Sequence, residues 1–295
     1  MRSLHKQNIG YLYILPWIIG FLTFQIYPFF MSFYYSFTNF SMVREPVFIG
    51  LANYIEMFTR DRNYFGSVRV TLIYVFVGVP LKLAFALMVA VLMNMKFKGI
   101  NLFRTLYYLP SILGGSVTIA LLWRFLFSRS GVVNQFLGRF YIPPVDWLGS
   151  DRWALFTVIL LTVWQFGSSM VIFLAGLKQV PNELYEAARV DGSGRLHSFL
   201  KITIPYLTPM ILFNLIMQTI IAMQQFSSVW NITGGGPLRA TYLYGIMLYE
   251  TGFIFLRMGY ASAMTWVLFA IIMLLTVLIF KTSSFWVYYE DGSKK

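Results

Sequence analysis

Six stretches of this sequence run almost without charge, and each is long enough to restrict the solvent it can face. Tyr11 to Val43, Thr105 to Trp123, Trp153 to Leu177, Ile202 to Leu238 and Met258 to Phe280 contain no Asp, Glu, Lys or Arg, and Val70 to Met95 contains only Lys82. A helix needs about 20 largely apolar residues to cross a bilayer. Hydrocarbon offers the backbone no water to bond, so spanning segments are helices or closed barrels, and these runs lack the alternation of barrel strands. The expectation is an all-α integral membrane protein with six transmembrane helices within residues 11–280, an N-terminal segment 1–10 and a tail 281–295.

Composition agrees. Hydrophobic residues make up 58% of the chain and charged residues 12%, against about 45–50% apolar usage in soluble domains. Aromatics reach 19%, and Trp and Tyr rings suit the bilayer interface. The chain has no cysteine, which excludes disulfides, thiolate metal sites and cysteine nucleophiles. Its net charge of +12 is spread over short loops between apolar runs, a pattern of membrane topology rather than of nucleic-acid binding. The first run follows Arg2 and Lys6 like a signal peptide, but it is longer than a signal h-region and no small-residue cleavage site follows. It is expected to remain as the first helix.

Basic residues set the sidedness. The loop Asn94 to Arg104 holds Lys96, Lys98 and Arg104 and no acid, which places it, both termini and the loop 178–205 in the cytoplasm of a prokaryotic cell membrane. The longer loops on the opposite side carry Glu45, Glu56, Asp61, Asp146, Asp151 and Glu250. An outer loop, 231–257, contains the apolar stretch Ala240 to Leu256, whose 17 residues are too short for a span and read as a surface or partly inserted helix.

The segment "YEAARVDGSGRLHSFLKITIP" interrupts this pattern with charge. It reads as two short helices around a bend. Asn182 after Pro181 is the expected N-cap, and Leu184, Ala187, Ala188 and Asp191 share one face. Gly192 supplies the positive φ of a left-handed C-terminal residue, Ser193 caps a second helix, and Pro205 starts the next span. The small Ala187 and Ala188 permit close approach by another surface, with Glu186 and Arg189 able to orient it. An amphipathic loop lying on the membrane is the alternative.

The order Glu186-Ala187-Ala188, three residues, Gly192, nine residues, Ile202-Thr203-Ile204-Pro205 resembles the EAA loop of permease subunits in binding-protein-dependent ABC importers, with Ile204 where that family has Leu. "YILPWIIGFLTFQIYPFF", "FIGLANYIEMF", "LFRTLYYLPSILGG" and "NITGGGPLRATYLY" are similar to the carbohydrate-uptake branch, the relatives of maltose and glycerol-phosphate permeases. The resemblance implies the importer permease fold, with Glu186, Ala187, Ala188, Arg189, Asp191 and Gly192 forming the coupling helices that sit in a cleft of a cytosolic ATPase dimer. It also implies a second, similar permease subunit, in a heterodimer rather than a homodimer, an extracytoplasmic solute-binding protein and a carbohydrate substrate. No cofactor is expected on this chain, and ATP and Mg belong to the ATPase. The sequence contains no G-x-x-x-x-G-K-[ST], and "GGGP" lacks the lysine of a phosphate loop.

Polar side chains inside spans usually face a bundle interior or a water-filled path. At 100° per residue, Asn214, Gln218 and Gln225 form one stripe on the fifth span, with Gln224 beside it and Trp230 nearer the outer end. Trp164, Gln165, Ser168 and Ser169 on the fourth span and Gly114, Gly115, Ser116 and Trp123 on the third add candidates. Amides beside aromatic rings suit a sugar, while helix-to-helix hydrogen bonding explains them equally. The resemblance carries a midmembrane sugar role to Gln224 and Gln225. Lys82 reads as an anion contact or as a structural pairing. Two other functions compete. An ion-coupled secondary transporter would need intramembrane Asp, Glu or His relays, which the spans lack, and a membrane enzyme would need a constellation that His5, His197 and the scattered acids do not form.

Overall fold

The computed structural model describes residues 13–95 and 98–288. The expected N-terminal segment 1–10 with His5, Lys96 of the basic loop, and the last part of the tail, 289–295, lie outside the described residues. Everything described is helix, turn or loop apart from two isolated bridges. The helices are α1 (Tyr13–Ser36), α2 (Ala52–Thr59), α3 (Tyr64–Met93), α4 (Ile100–Leu113), α5 (Val117–Leu126), α6 (Val132–Gly138), α7 (Asp151–Trp164), α8 (Gly167–Leu177), α9 (Asn182–Val190), α10 (Arg195–Met223), α11 (Ser227–Thr233), α12 (Tyr244–Tyr249) and α13 (Met258–Trp286).

Four of these, α1, α3, α10 and α13, are each long and apolar enough to cross a bilayer. The bent pairs α4–α5 and α7–α8 bring the number to six when each pair is one span. Sequence and structure therefore agree on an all-α membrane protein, but differ on two spans. The third turns through 102° at Gly114–Ser116, where two glycines weaken the helix and Ser116 caps a new one by accepting from the Ile119 N–H at 3.3 Å. The fifth ends at Met223, not near Leu238, and α11 is separate.

Prolines shape the long helices. A π turn at Leu22–Ile26 precedes Pro28, and another at Phe199–Thr203 precedes Pro205, each closed by an i→i+5 bond from the residue before the proline. Widening the turn there accommodates a ring that has no N–H and would crowd the carbonyl four residues back. Pro205 thus lies inside a helix that already begins at Arg195, rather than starting it.

The chain divides into two compact units, Met1–Arg62 with Leu248–Ala270, and Asn63–Met247 with Ile271–Lys295. In the first, Gly259 donates its N–H to the Phe40 carbonyl at 2.9 Å, and Arg257 pairs with Glu56 at 2.7 Å. Trp266 packs on Phe29 and Phe33 with ring centroids 4.8 and 4.7 Å apart.

In the second unit α3 is the central element, packed against α7, α8 and α10. Ala86 and Ala90 are fully buried on it. Small residues allow the helices to approach: a Cβ at Gly176 of α8 would stand 2.7 Å from Leu207 of α10. Of the 240–256 stretch, residues 243–247 do not lie at the surface, while Phe253, Ile254, Phe255 and Leu256 are exposed. Leu243, Tyr244, Ile246 and Met247 are buried, and the Tyr244 N–H donates to Thr71 Oγ1 of α3 at 2.8 Å. The 20-residue rule concerns lipid exposure, and a short helix within protein escapes it.

Candidate functional site

The charged loop between α8 and α10 is built to be presented. Helix α9 begins at Asn182 with Pro181, in extended conformation, as its N-cap, so Asn182 is the first helical residue and makes no side-chain cap. Glu183 in the first turn and Arg189 in the last complement the helix dipole. The helix ends in a Schellman motif: Ser193 N–H donates to Ala188 O at 2.8 Å and Gly192 N–H to Arg189 O at 3.1 Å. Gly192 supplies the required φ of 77°. Gly194, not Ser193, precedes the next helical turn, and the Ser193 hydroxyl lies 3.3 Å from that of Ser198.

No residue of α9 or of Arg195–Ser198 is buried. Val190 is 88% and Leu196 72% exposed. The loop is nevertheless held. Tyr185 OH and Thr203 Oγ1 lie 2.8 Å apart, which ties α9 to the base of α10. Tyr288 N–H donates to Thr208 Oγ1 at 2.8 Å, and a cleft of about 560 Å³ opens between α9, Lys201, Tyr206 and Tyr288.

A second cluster forms where helices break. Gln165 stands at the 44° bend between α7 and α8, and its Nε2 donates to the Gly114 carbonyl at 2.8 Å, inside the α4–α5 bend. Ser228 of α11 reaches the same carbonyl at 3.4 Å. Ser111 Oγ donates to Gln165 O at 3.1 Å and accepts from the Ser168 N–H at 3.0 Å. Three interrupted helices therefore meet at one carbonyl. Irregular backbone within a membrane is tolerated where protein buries it or where it lines a polar cavity, and discontinuous helices are common sites of substrate contact in transporters.

The stripe expected on the fifth span is divided between two places. Asn214 and Gln218 are buried against the core, where Gln218 Oε1 accepts from Lys82 Nζ at 2.8 Å. Lys82 thus has a structural partner inside the chain. Because α10 stops at Met223, the angular projection does not reach Gln224 and Gln225, which occupy the break before α11. Gln224 is exposed and Gln225 half-buried, close to Gly245, whose Cβ would stand 2.7 Å from the Gln225 carbonyl. Trp230 is half-buried and stacks on Phe226 at 5.9 Å. Trp123 donates Nε1–H to Thr157 O at 3.0 Å and lies 5.9 Å from the Trp164 ring. Ser111 and Ser228 were missed in the sequence because nothing distinguishes a serine that braces a helix break from one that merely relaxes packing.

Residues 62–289 match the family described as binding-protein-dependent transport system inner membrane component. The chain is 50% identical over 296 residues to "Probable ABC transporter permease protein YesP" of Bacillus subtilis (strain 168), covering 98% of this chain and 95% of the relative. It is 31% identical to the "Trehalose/maltose transport system permease protein MalF" of Thermococcus litoralis, covering 95% of each. Its fold is similar to a chain in the crystal structure of a bacterial alginate ABC transporter in complex with alginate pentasaccharide-bound periplasmic protein, with a TM-score of 0.80, 21% identity and 96% of each chain covered.

Proposed function

Because this chain belongs to the family of binding-protein-dependent transport system inner membrane components, we propose that it is the permease subunit of an ATP-driven importer of a sugar or oligosaccharide. The observation that carries this reading is the near end-to-end similarity to a trehalose/maltose permease, supported by amides and aromatic rings at the helix breaks. An ion-coupled transporter is disfavoured by the family and by spans without acidic or histidine relays.

Division of labour follows from what the chain lacks. With no phosphate loop in its sequence, it catalyses no hydrolysis, and ATP and Mg are held by a cytosolic ATPase dimer. Glu186, Ala187, Ala188, Arg189, Asp191 and Gly192 form the docking element, which enters a cleft of one ATPase subunit. A second permease supplies the other docking loop, and both termini face the cytoplasm. A solute-binding protein delivers the saccharide from outside, a role supported by the periplasmic partner of the alginate transporter. Closure of the ATPase pair moves α9 and, through the Tyr185–Thr203 contact, α10. The saccharide passes the helix breaks beside Gln224, Gln225 and Trp230, where amide groups meet hydroxyls and the indole meets a C–H face. Gln218 joins α10 to α3 through Lys82, while Asn214 bonds only within α10.

A tagged chain captured from its native membrane tests the docking role. The wild type is expected to bring down an ATPase. Ala188→Trp, which fills the approach surface on a half-buried position, is expected to reduce that capture at least tenfold while leaving the chain membrane-inserted. Equal capture by Ala188→Trp would contradict the assignment.

A further inference from the structure

Two features of the bundle are left unexplained by packing. Lys82, 6% exposed, is an ammonium buried among α3 and its neighbours, and its acceptor is Gln218 Oε1 on α10. A methionine of similar length would fill the same space without the penalty of a buried charge. Four residues before Gln218, on the same face of α10, Asn214 is 1% exposed, and its Oδ1 has no hydrogen-bond partner. Its Nδ2 is committed to the Met210 carbonyl at 3.0 Å. Buried acceptors are nearly always satisfied, so an orphan one helical turn from a partly satisfied ammonium needs a cause.

From these we infer that Lys82 is a two-position latch, bonded to Gln218 in this conformation and transferred to Asn214 when α10 is displaced along α3. Three arguments support it. Helix α10 runs without interruption from Arg195 in the docking loop to Met223, so a pull on the loop reaches Gln218 and Asn214 directly. The acceptors are one turn apart, about 6 Å, within the combined range of a small helix shift and a lysine rotamer change. Packed helices exchange between discrete registers rather than deforming continuously. Burial of Lys82 and Gln218 within this chain alone also separates the latch from the saccharide path. Lys82 and Asn214 are thus positioning residues that set the two registers α10 can occupy on α3. The inference rests on the importer reading.

The chain has no native cysteine, so spin labels at Phe76→Cys on α3 and Phe213→Cys on α10, both exposed side chains, report the register of the two helices. Measurements use the assembled importer in nanodiscs, nucleotide-free and trapped with ATP and vanadate. The wild-type distance is expected to shift by about 2–5 Å between the two states. Asn214→Leu is expected to reduce that shift at least threefold while its thermal unfolding midpoint equals or exceeds the wild-type value, because an orphan polar group has been removed. Asn214→Gln, which retains an acceptor, is expected to restore the shift. Lys82→Met removes both positions and is expected to lose the two-state distribution, which also serves should Asn214→Leu fail to assemble. A wild-type shift retained in Asn214→Leu or in Lys82→Met overturns the latch, as does an unshifted wild type. A wild-type chain that captures no ATPase overturns the importer reading itself.

Discussion

Single residues carry the geometry of the loop proposed to dock on the ATPase. Gly192 sits at φ 77° with open space around the position a Cβ would occupy, so alanine there meets backbone strain alone, about 1 kcal/mol. Gly192→Ala is expected to fray the Schellman end of α9 and weaken ATPase capture about fivefold, measured by titrating ATPase onto the purified permease pair. Unaltered affinity would show that the bend is not part of the docking surface. This glycine was legible in the sequence because only a positive φ explains a glycine after the amphipathic face ends. The caps were not: Asn182 and Ser193 are good capping types, but extended Pro181 and Gly194 took those positions. Side-chain preference alone does not choose among adjacent candidates when a proline and a glycine flank them.

At the scale of elements, the spans could be located because lipid excludes charge, whereas their interruptions could not. Gly114 and Gly115 look like packing glycines. Only the structure reveals that the Gly114 carbonyl receives Gln165 and Ser228 from two other broken helices. The polar stripe failed for the same reason, since a projection at fixed angle assumes a continuous helix and α10 ends before Gln225. The junction predicts an order of sensitivity. A Cβ at Gly167 would lie 2.6 Å from the Tyr107 carbonyl, a backbone atom that cannot swing aside. At Gly114 it would meet the movable side chain of Gln165, and at Gly115 nothing within 4 Å. Thermal unfolding in detergent should therefore rank Gly167→Ala as the most destabilising, by about 1–3 kcal/mol. Gly114→Ala should cost less, about 1 kcal/mol for the displaced hydrogen bond, and Gly115→Ala should be nearly neutral. The reverse order would mean that the breaks are not braced as described.

The whole molecule belongs to the family of binding-protein-dependent transport system inner membrane components, and the proposed function puts the motor on a separate chain. That proposal was legible in the sequence through the resemblance of residues 186–205 to an EAA loop, whereas the identity of the saccharide was not, because in the proposed importer the binding protein and a second permease also select it. The central claim is that transport is driven by ATP hydrolysed on another polypeptide. It is tested most directly by uptake into proteoliposomes of a saccharide bound by the cognate binding protein, using the assembled importer with an ATPase whose catalytic glutamate is replaced by glutamine. The account predicts that uptake stops with that variant and persists at the wild-type rate when ionophores dissipate the ion gradients. Uptake that survives the ATPase substitution and collapses with the gradients would contradict it.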